Sequence, residues 1–151
     1  MPLLIQHAHI ITSTDDYHAD IYCADQTITR IDAPGSIEPK ACPSGTEVID
    51  LRGPAGANKY VFPGFIDPHV HVYLPFMGTF AKDTCETASR AAIVGGTTTL
   101  IEMICPGKSD EPMAAFETWL GKAQGVSACD FTFHMGVTRF DALAEKQFRD
   151  I

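Results

Sequence analysis

The run Asp83-Thr84-Cys85-Glu86-Thr87-Ala88-Ser89-Arg90-Ala91-Ala92-Ile93-Val94-Gly95-Gly96-Thr97-Thr98-Thr99-Leu100-Ile101-Glu102-Met103-Ile104-Cys105 decides the fold. Its first half reads as a helix over 83–94. Asp83 is placed to cap the first turn, Glu86 completes a weak capping box, and Gly95-Gly96 supplies the stop. Its second half, Thr97 to Cys105, is β-branched and apolar and reads as a strand. Because the Gly-Gly pair precedes a strand and opens no helix, it reads as a helix end and not as a phosphate loop. Working outward, Phe65 to Val72 is a strand ahead of this helix. Ser109 to Ala123 is a second helix, with Met113, Phe116, Trp119, Leu120 and Ala123 at helical spacing and Asp110-Glu111-Pro112 as an ordinary helix start. Asp130 to Thr138 is a third strand, and Asp141 opens a third helix with Leu143, Phe148 and Ile151 among its apolar positions. Strand starts at 65, 97 and 130 lie 32 and 33 residues apart, the repeat of βαβ units in a parallel sheet.

An eight-unit barrel needs about 250 residues, roughly 31 per unit, and residues 65–151 supply three units at about 29 each. The expected class is therefore α/β: a (β/α)8 TIM-type barrel of which three units are in hand, although a doubly wound sheet fits the spacing as well. Residues 1–60 have a different texture. Leu3 to Thr12, Asp20 to Cys23, Thr27 to Ile31 and Glu47 to Leu51 read as strands, with turns at Thr14-Asp15-Asp16 and Ala24-Asp25-Gln26 and a loop marked by Pro34-Gly35 and Pro43-Ser44-Gly45. The predicted organisation is a small, mostly antiparallel β region over 1–60 and incomplete barrel units over 61–151. On this count the chain reads as the front of a longer protein.

Composition removes several classes. With 151 residues, 45% hydrophobic and 20% charged, the chain is expected to fold. It has no run of 18 apolar residues and no signal-type N-terminus, so no membrane is expected. Eleven Lys and Arg against nineteen Asp and Glu give a net charge of −8 without a basic cluster, which argues against nucleic-acid binding. Five cysteines (Cys23, Cys42, Cys85, Cys105 and Cys129) are odd in number and form no CxxC, so a reducing cytoplasm fits better than a disulfide framework. Most are expected to be small buried hydrophobes.

The chemistry concentrates in Asp67-Pro68-His69-Val70-His71. Strand alternation puts Asp67, His69 and His71 on one face, with consecutive same-face positions about 6.5–7 Å apart. Two imidazoles at that spacing can converge on one divalent ion through bonds of about 2.0–2.1 Å. The C-terminal end of a barrel strand is where catalytic groups sit. Asp67, one step deeper, is placed to orient a ligand or touch the metal. Two ligands do not complete a catalytic zinc site, and the remaining histidines are weaker candidates. His7, His9 and His18 read as solvated or half-buried strand residues, and His134 as a hydrogen-bonded core or supporting histidine. Glu102, between apolar Ile101 and Met103, is a candidate for the barrel mouth.

Three segments in order, Val61-Phe62-Pro63-Gly64-Phe65-Ile66-Asp67-Pro68-His69-Val70-His71, Leu74-Pro75-Phe76-Met77-Gly78-Thr79 and Arg90-Ala91-Ala92-Ile93-Val94-Gly95-Gly96-Thr97-Thr98, resemble the start of the hydantoinase/dihydropyrimidinase family. These are cyclic amidohydrolases of the urease-related superfamily. The resemblance runs over essentially the whole chain and is strongest from 61 to 106; residues 1–60 resemble the N-terminal part of the family's small β-sandwich. It implies a binuclear metal site, usually zinc, in a (β/α)8 barrel. His69 and His71 match the two first-strand ligands, while a bridging carboxylated lysine, two further histidines and a catalytic aspartate come from later strands outside this chain. His134 matches no ligand of the family. Tyr73 to Thr79 matches the substrate-gating loop, making Leu74 and Phe76 candidates for contact with the substrate's exocyclic group. The implied reaction is ring opening of a hydantoin or 5,6-dihydropyrimidine to an N-carbamoyl amino acid, in a cytoplasmic homotetramer; the 151-residue chain alone is expected to be inactive.

Phe65 stands where many members carry glycine, Cys85-Glu86 replaces a commonly aromatic pair, and Arg52 to Lys59 looks slightly longer than usual. A dihydroorotase or allantoinase is the sister reading. The dihydroorotase pattern places an arginine two residues after the second histidine, where this chain has Tyr73. A non-catalytic scaffold relative, which would have lost the metal ligands, or a truncated relative with an interaction role, are the remaining alternatives.

Overall fold

The computed structural model describes residues 1–76 and 78–151, and of Phe76 the backbone alone. Phe76 as a substrate contact, and Met77 beside it in the same loop, thus lie outside the described side chains. The chain divides into two compact units, Met1–Pro63 and Gly64–Ile151.

The first unit is one four-stranded sheet of β1 (Leu3–Ile11), β2 (Asp16–Ala24), β3 (Thr27–Asp32) and β4 (Glu47–Asp50), in the order β3-β2-β1-β4. β1 pairs antiparallel with β2, and β2 with β3, while β4 returns to pair parallel with β1. Along β1 every second side chain is buried (Leu4, Gln6, Ala8, Ile10), and Ala8 and Ile10 pack with Ala19 and Ile21 of β2. A register shift between Ile5 and Ala8 puts His7 in the left-handed region at φ 58°. The fully buried Asp20 secures this bulge, accepting the backbone N–H of His7 at 2.9 Å, Gly35 at 3.0 Å and Ile37 at 3.1 Å. Burial pushes its carboxyl up, but the three donors outweigh that and hold it below its ordinary value.

The second unit is a parallel sheet with helical crossovers. β5 (Phe65–Val70), β8 (Thr97–Ile104) and β9 (Asp130–Met135) lie in the order β5-β8-β9, with α1 (Cys85–Val94) connecting the first pair and α2 (Pro112–Ala123) the second. α3 (Ala142–Asp150) follows, capped by Asp141, whose carboxylate accepts the Ala144 N–H at 2.9 Å. Leu100, Glu102 and Ile104 of β8 share the buried face, and Ile104 packs with Ala115 and Trp119 of α2. Among the described residues no helix is long and apolar enough to cross a membrane.

Local chemistry moves several predicted boundaries. α1 is capped by Thr84, not Asp83, and its capping box closes with Thr87, not Glu86; the Thr84 hydroxyl accepts the Thr87 N–H at 3.2 Å. Asp83 instead accepts the Thr87 hydroxyl at 3.0 Å. α2 starts at Pro112 and not at Ser109, because the residue before a proline is driven out of the helical region; Glu111 has ψ 135°. The loop after β5 contains a short hairpin of β6 (Pro75–Phe76) and β7 (Thr79–Phe80). All five cysteines are free, and the expectation that most are buried is corrected: only Cys85 is, and Cys105, just past the end of β8, is exposed.

Candidate functional site

β5 starts where backbone meets side chain at close range. A Cβ at Gly64 would lie 2.1 Å from the Thr98 hydroxyl oxygen, so glycine is what lets β5 lie against β8. Farther along, Asp67 registers with Leu100 and Val70 with Glu102, so three steps of β5 span two of β8. The extra residue falls at Pro68-His69, where proline has no N–H for the ladder. The His69 N–H turns to the Asp67 carboxylate at 3.1 Å. The simple period of two expected from Asp67 to His71 is therefore interrupted by a bulge. Beyond it the exposed imidazoles of His69 and His71 stand edge to face, with centroids 5.1 Å apart.

His134 reaches the same segment from β9. Its Nε2 lies 3.2 Å from the Pro68 carbonyl oxygen, which it meets as donor. The residue is exposed, so the core alternative for it is corrected, and its hydrogen bond goes to the bulge itself. Two imidazoles edge to face at a strand end are donor types that zinc and similar borderline ions accept. Among the described residues no group of three His, Cys, Asp or Glu side chains forms a metal cage.

Behind the strand end lies a feature that periodicity only partly revealed. Glu102 is 4% exposed, and its Oε1 accepts the Tyr73 N–H at 2.5 Å. Burial pushes its carboxyl up, against the pull of the Tyr73 and Val72 amides and of the Trp119 indole. The indole N–H makes no full hydrogen bond of its own and simply faces this charge. Glu102 thus belongs to the helix-covered face with Leu100 and Ile104, which corrects its expected place in a barrel mouth. The readable signal was an acid at period two within an apolar row. Tyr73 is boxed in by Phe80 at 5.6 Å, Trp119 at 5.0 Å and the Lys122 ammonium 3.9 Å over its ring. The half-buried Leu74 follows, its carbonyl accepting the Ala81 N–H at 3.2 Å to close the loop over the hairpin. A cleft of about 610 Å³ opens between Tyr73, Pro75, Cys105, Asp110 and Trp119. The buried Cys85 thiol is pushed up by burial and by the Glu102 charge, which makes it a poor nucleophile.

The histidines of the first unit form a separate group. His9 and His18 stack at 4.4 Å and His9 Nε2 meets Asp16 at 2.5 Å, beside a cavity of about 260 Å³ that Tyr60 also lines. His7 Nδ1 lies 3.3 Å from Asp50, whose carboxyl is held at about 2, chiefly by the Arg52 side chain.

Residues 60–134 match the model of the amidohydrolase family. The D-hydantoinase of Geobacillus stearothermophilus is 40% identical over 147 residues, 96% of this chain and 29% of that protein. Together with the strand-end histidine pair, this decides the assignment. The chain belongs to the amidohydrolase family. Within it the similarity is to hydantoinases and dihydropyrimidinases. Dihydropyrimidinase 2 of Caenorhabditis elegans is 37% identical over 138 residues, 91% of this chain and 25% of that protein. The solved D-hydantoinase (dihydropyrimidinase) from Thermus sp. superimposes with a TM-score of 0.86 at 55% identity, over 98% of this chain and 30% of that one. The chain thus spans between a quarter and a third of the length of these amidohydrolase relatives. Amidohydrolases are in general metal-dependent, and the imidazole pair fits that chemistry.

Proposed function

We propose that this chain forms the front part of a metal-dependent cyclic amidohydrolase, a (β/α)8 TIM-type barrel with a small β-sandwich to which residues 1–60 contribute. The reaction is ring opening of a hydantoin or 5,6-dihydropyrimidine to an N-carbamoyl amino acid. One observation carries the reading: His69 and His71 stand edge to face with centroids 5.1 Å apart at the end of β5, in a chain that aligns with a D-hydantoinase over 96% of its length. These two residues would hold the cation, zinc in this reading. The chemistry such a cation would supply is polarisation of the ring carbonyl and a nucleophilic water near neutral pH. Asp67 fixes the backbone of the first ligand by accepting the His69 N–H. The loop from Tyr73 to Thr79 gates the substrate, with Leu74 and Phe76 at its exocyclic group. A second zinc ion, the bridging carboxylated lysine, two further histidines and the catalytic aspartate belong to segments outside this chain. Tyr73, where the dihydroorotase pattern has arginine, favours a neutral cyclic ureide or imide over an acidic substrate. The retained histidine pair favours an enzyme over a scaffold. The assembly is a homotetramer in a reducing cytoplasm, a setting consistent with five free cysteines.

The test is metal content and hydrolysis of hydantoin and dihydrouracil by the full-length protein, with His69→Asn and His71→Asn alongside. Each variant should lose more than the roughly 10–100-fold in metal affinity or rate that follows loss of a ligand's supporting partner. Unchanged metal content and turnover in both variants would overturn the reading.

A further inference from the structure

We propose that Glu102 is a positioning residue for the metal ligands: by accepting the Tyr73 N–H it fixes the backbone leaving β5, and with it the His71 imidazole and the loop beyond. This rests on the function proposed above. β5 ends at Val70, which registers with Glu102, so the amides that follow have passed the end of the β5–β8 ladder. The Glu102 side chain takes up that role for Tyr73 at 2.5 Å, two residues after His71. The Val72 amide adds to the pull on the same carboxylate. A carboxylate accepting backbone N–H groups makes a shorter and stronger bond than a neutral acceptor. Placing an acid between Leu100 and Ile104 carries a desolvation cost that an aliphatic side chain would avoid. The Tyr73 ring is held at the same time by Phe80, Trp119 and Lys122. Backbone and ring clamps together tie the end of β5 to the β6–β7 hairpin and to α2, so the ligand strand and the gating loop share one anchor.

Removing the acceptor should therefore change metal binding and not merely stability. The experiment uses the full-length protein stripped of metal and titrated with Zn2+ against a chromophoric chelator, with backbone amide exchange over residues 70–76 read on the same samples. Glu102→Ala should weaken Zn2+ binding about tenfold or more and speed exchange in that segment, while Glu102→Gln, which keeps a carbonyl acceptor, should stay within about threefold of wild type. Glu102→Met takes the place of the alanine variant if that one does not fold. Ser89→Ala is the control for general loosening. It removes a buried hydroxyl that accepts the Ala128 N–H at 2.9 Å, and should lower the melting temperature with Zn2+ affinity unchanged. Wild-type affinity in Glu102→Ala, or an equal loss in Ser89→Ala, overturns the positioning role alone. A wild-type protein that takes up no Zn2+ overturns the proposed function as well.

Discussion

Replacing Gly64 by alanine tests whether β5 is seated by close approach to β8. The added Cβ would lie 2.1 Å from Thr98 Oγ1, 2.4 Å from Cγ2 and 2.8 Å from Cβ. All three distances are shorter than real Cβ contacts allow, and Thr98 is β-branched and stiff at χ1, so turning its side chain cannot relieve them together. Inserting a methyl group without room costs about 1–3 kcal/mol, and three simultaneous clashes put Gly64→Ala near the upper end, at about 2–3 kcal/mol. In a Thr98→Ala background two of the three atoms are gone and only the 2.8 Å contact remains, which a shift of a few tenths of an ångström relieves. The same substitution should then cost about 1 kcal/mol, a coupling of about 1–2 kcal/mol, in the range seen for touching residues. Thr98 is exposed, so Thr98→Ala alone should stay within about 1 kcal/mol. Urea unfolding of the four proteins at constant m-value measures the cycle. Equal costs for Gly64→Ala in the two backgrounds would refute the steric account of this glycine.

Asp20→Ala should cost about 3–5 kcal/mol in urea unfolding, since buried N–H groups left without an acceptor cost about 1–3 kcal/mol each and relax only in part. Because the folded Asp20 carboxyl sits below its unfolded value, the charge-dependent part of its contribution is complete above that unfolded value, near 3.9, and is lost as pH falls through the folded one; the gap between wild type and variant should narrow on acidification, and a gap independent of pH would count against this. Arg52→Ala should let the Asp50 carboxyl rise from about 2 part of the way toward about 3.9, since the residue-52 backbone N–H still donates to it, read by NMR pH titration; a value that stays near 2 would assign the shift to that amide and His7 instead of the guanidinium. Thr84→Ala should cost about 1 kcal/mol through loss of the α1 cap, and Asp83→Ala clearly less; the reverse order would restore Asp83 as the cap.

The parallel βαβ order was legible because the signals were local: Gly95-Gly96 ends α1, and the run Thr97–Ile104 is too β-branched for a helix. The histidine pair was legible for the same reason, as a short motif at a strand end. What escaped depended on partners distant in sequence. Thr84 and Asp83 are both good capping residues, and the choice between them turns on which hydroxyl or carboxylate meets the Thr87 N–H. The sequence marks Glu102 as an acid in an apolar row but carries no signal for its side of the strand. The buried set Leu100, Glu102 and Ile104 shares its alternation with the set Thr99, Ile101 and Met103, and only packing against α2 decides which set faces the helices. The fully buried Asp20 resembled any strand carboxylate until the amides of His7, Gly35 and Ile37 were seen to converge on it.

The bulge at Pro68 shows how a breach of strand regularity can serve a site. In an unbroken strand the two imidazoles would leave the backbone about 6.5–7 Å apart and nearly side by side. Here Pro68 has no N–H to offer the ladder, and the next amide, His69, is claimed by Asp67. The pairing resumes at Val70 one residue out of step. A bulge bends and twists its strand and re-aims the side chains around it, and the rings that follow stand at 82° to each other with centroids 5.1 Å apart. His134 then bonds the Pro68 carbonyl from β9, so the irregular peptide is held from two strands away in the sheet as well. The sequence places proline, aspartate and two histidines within five residues. Each has a separate physical role there: removing a donor, capturing the donor left over, and placing two imidazoles edge to face at the strand end. Under the function proposed above, that irregular strand end is what would present both rings to a cation.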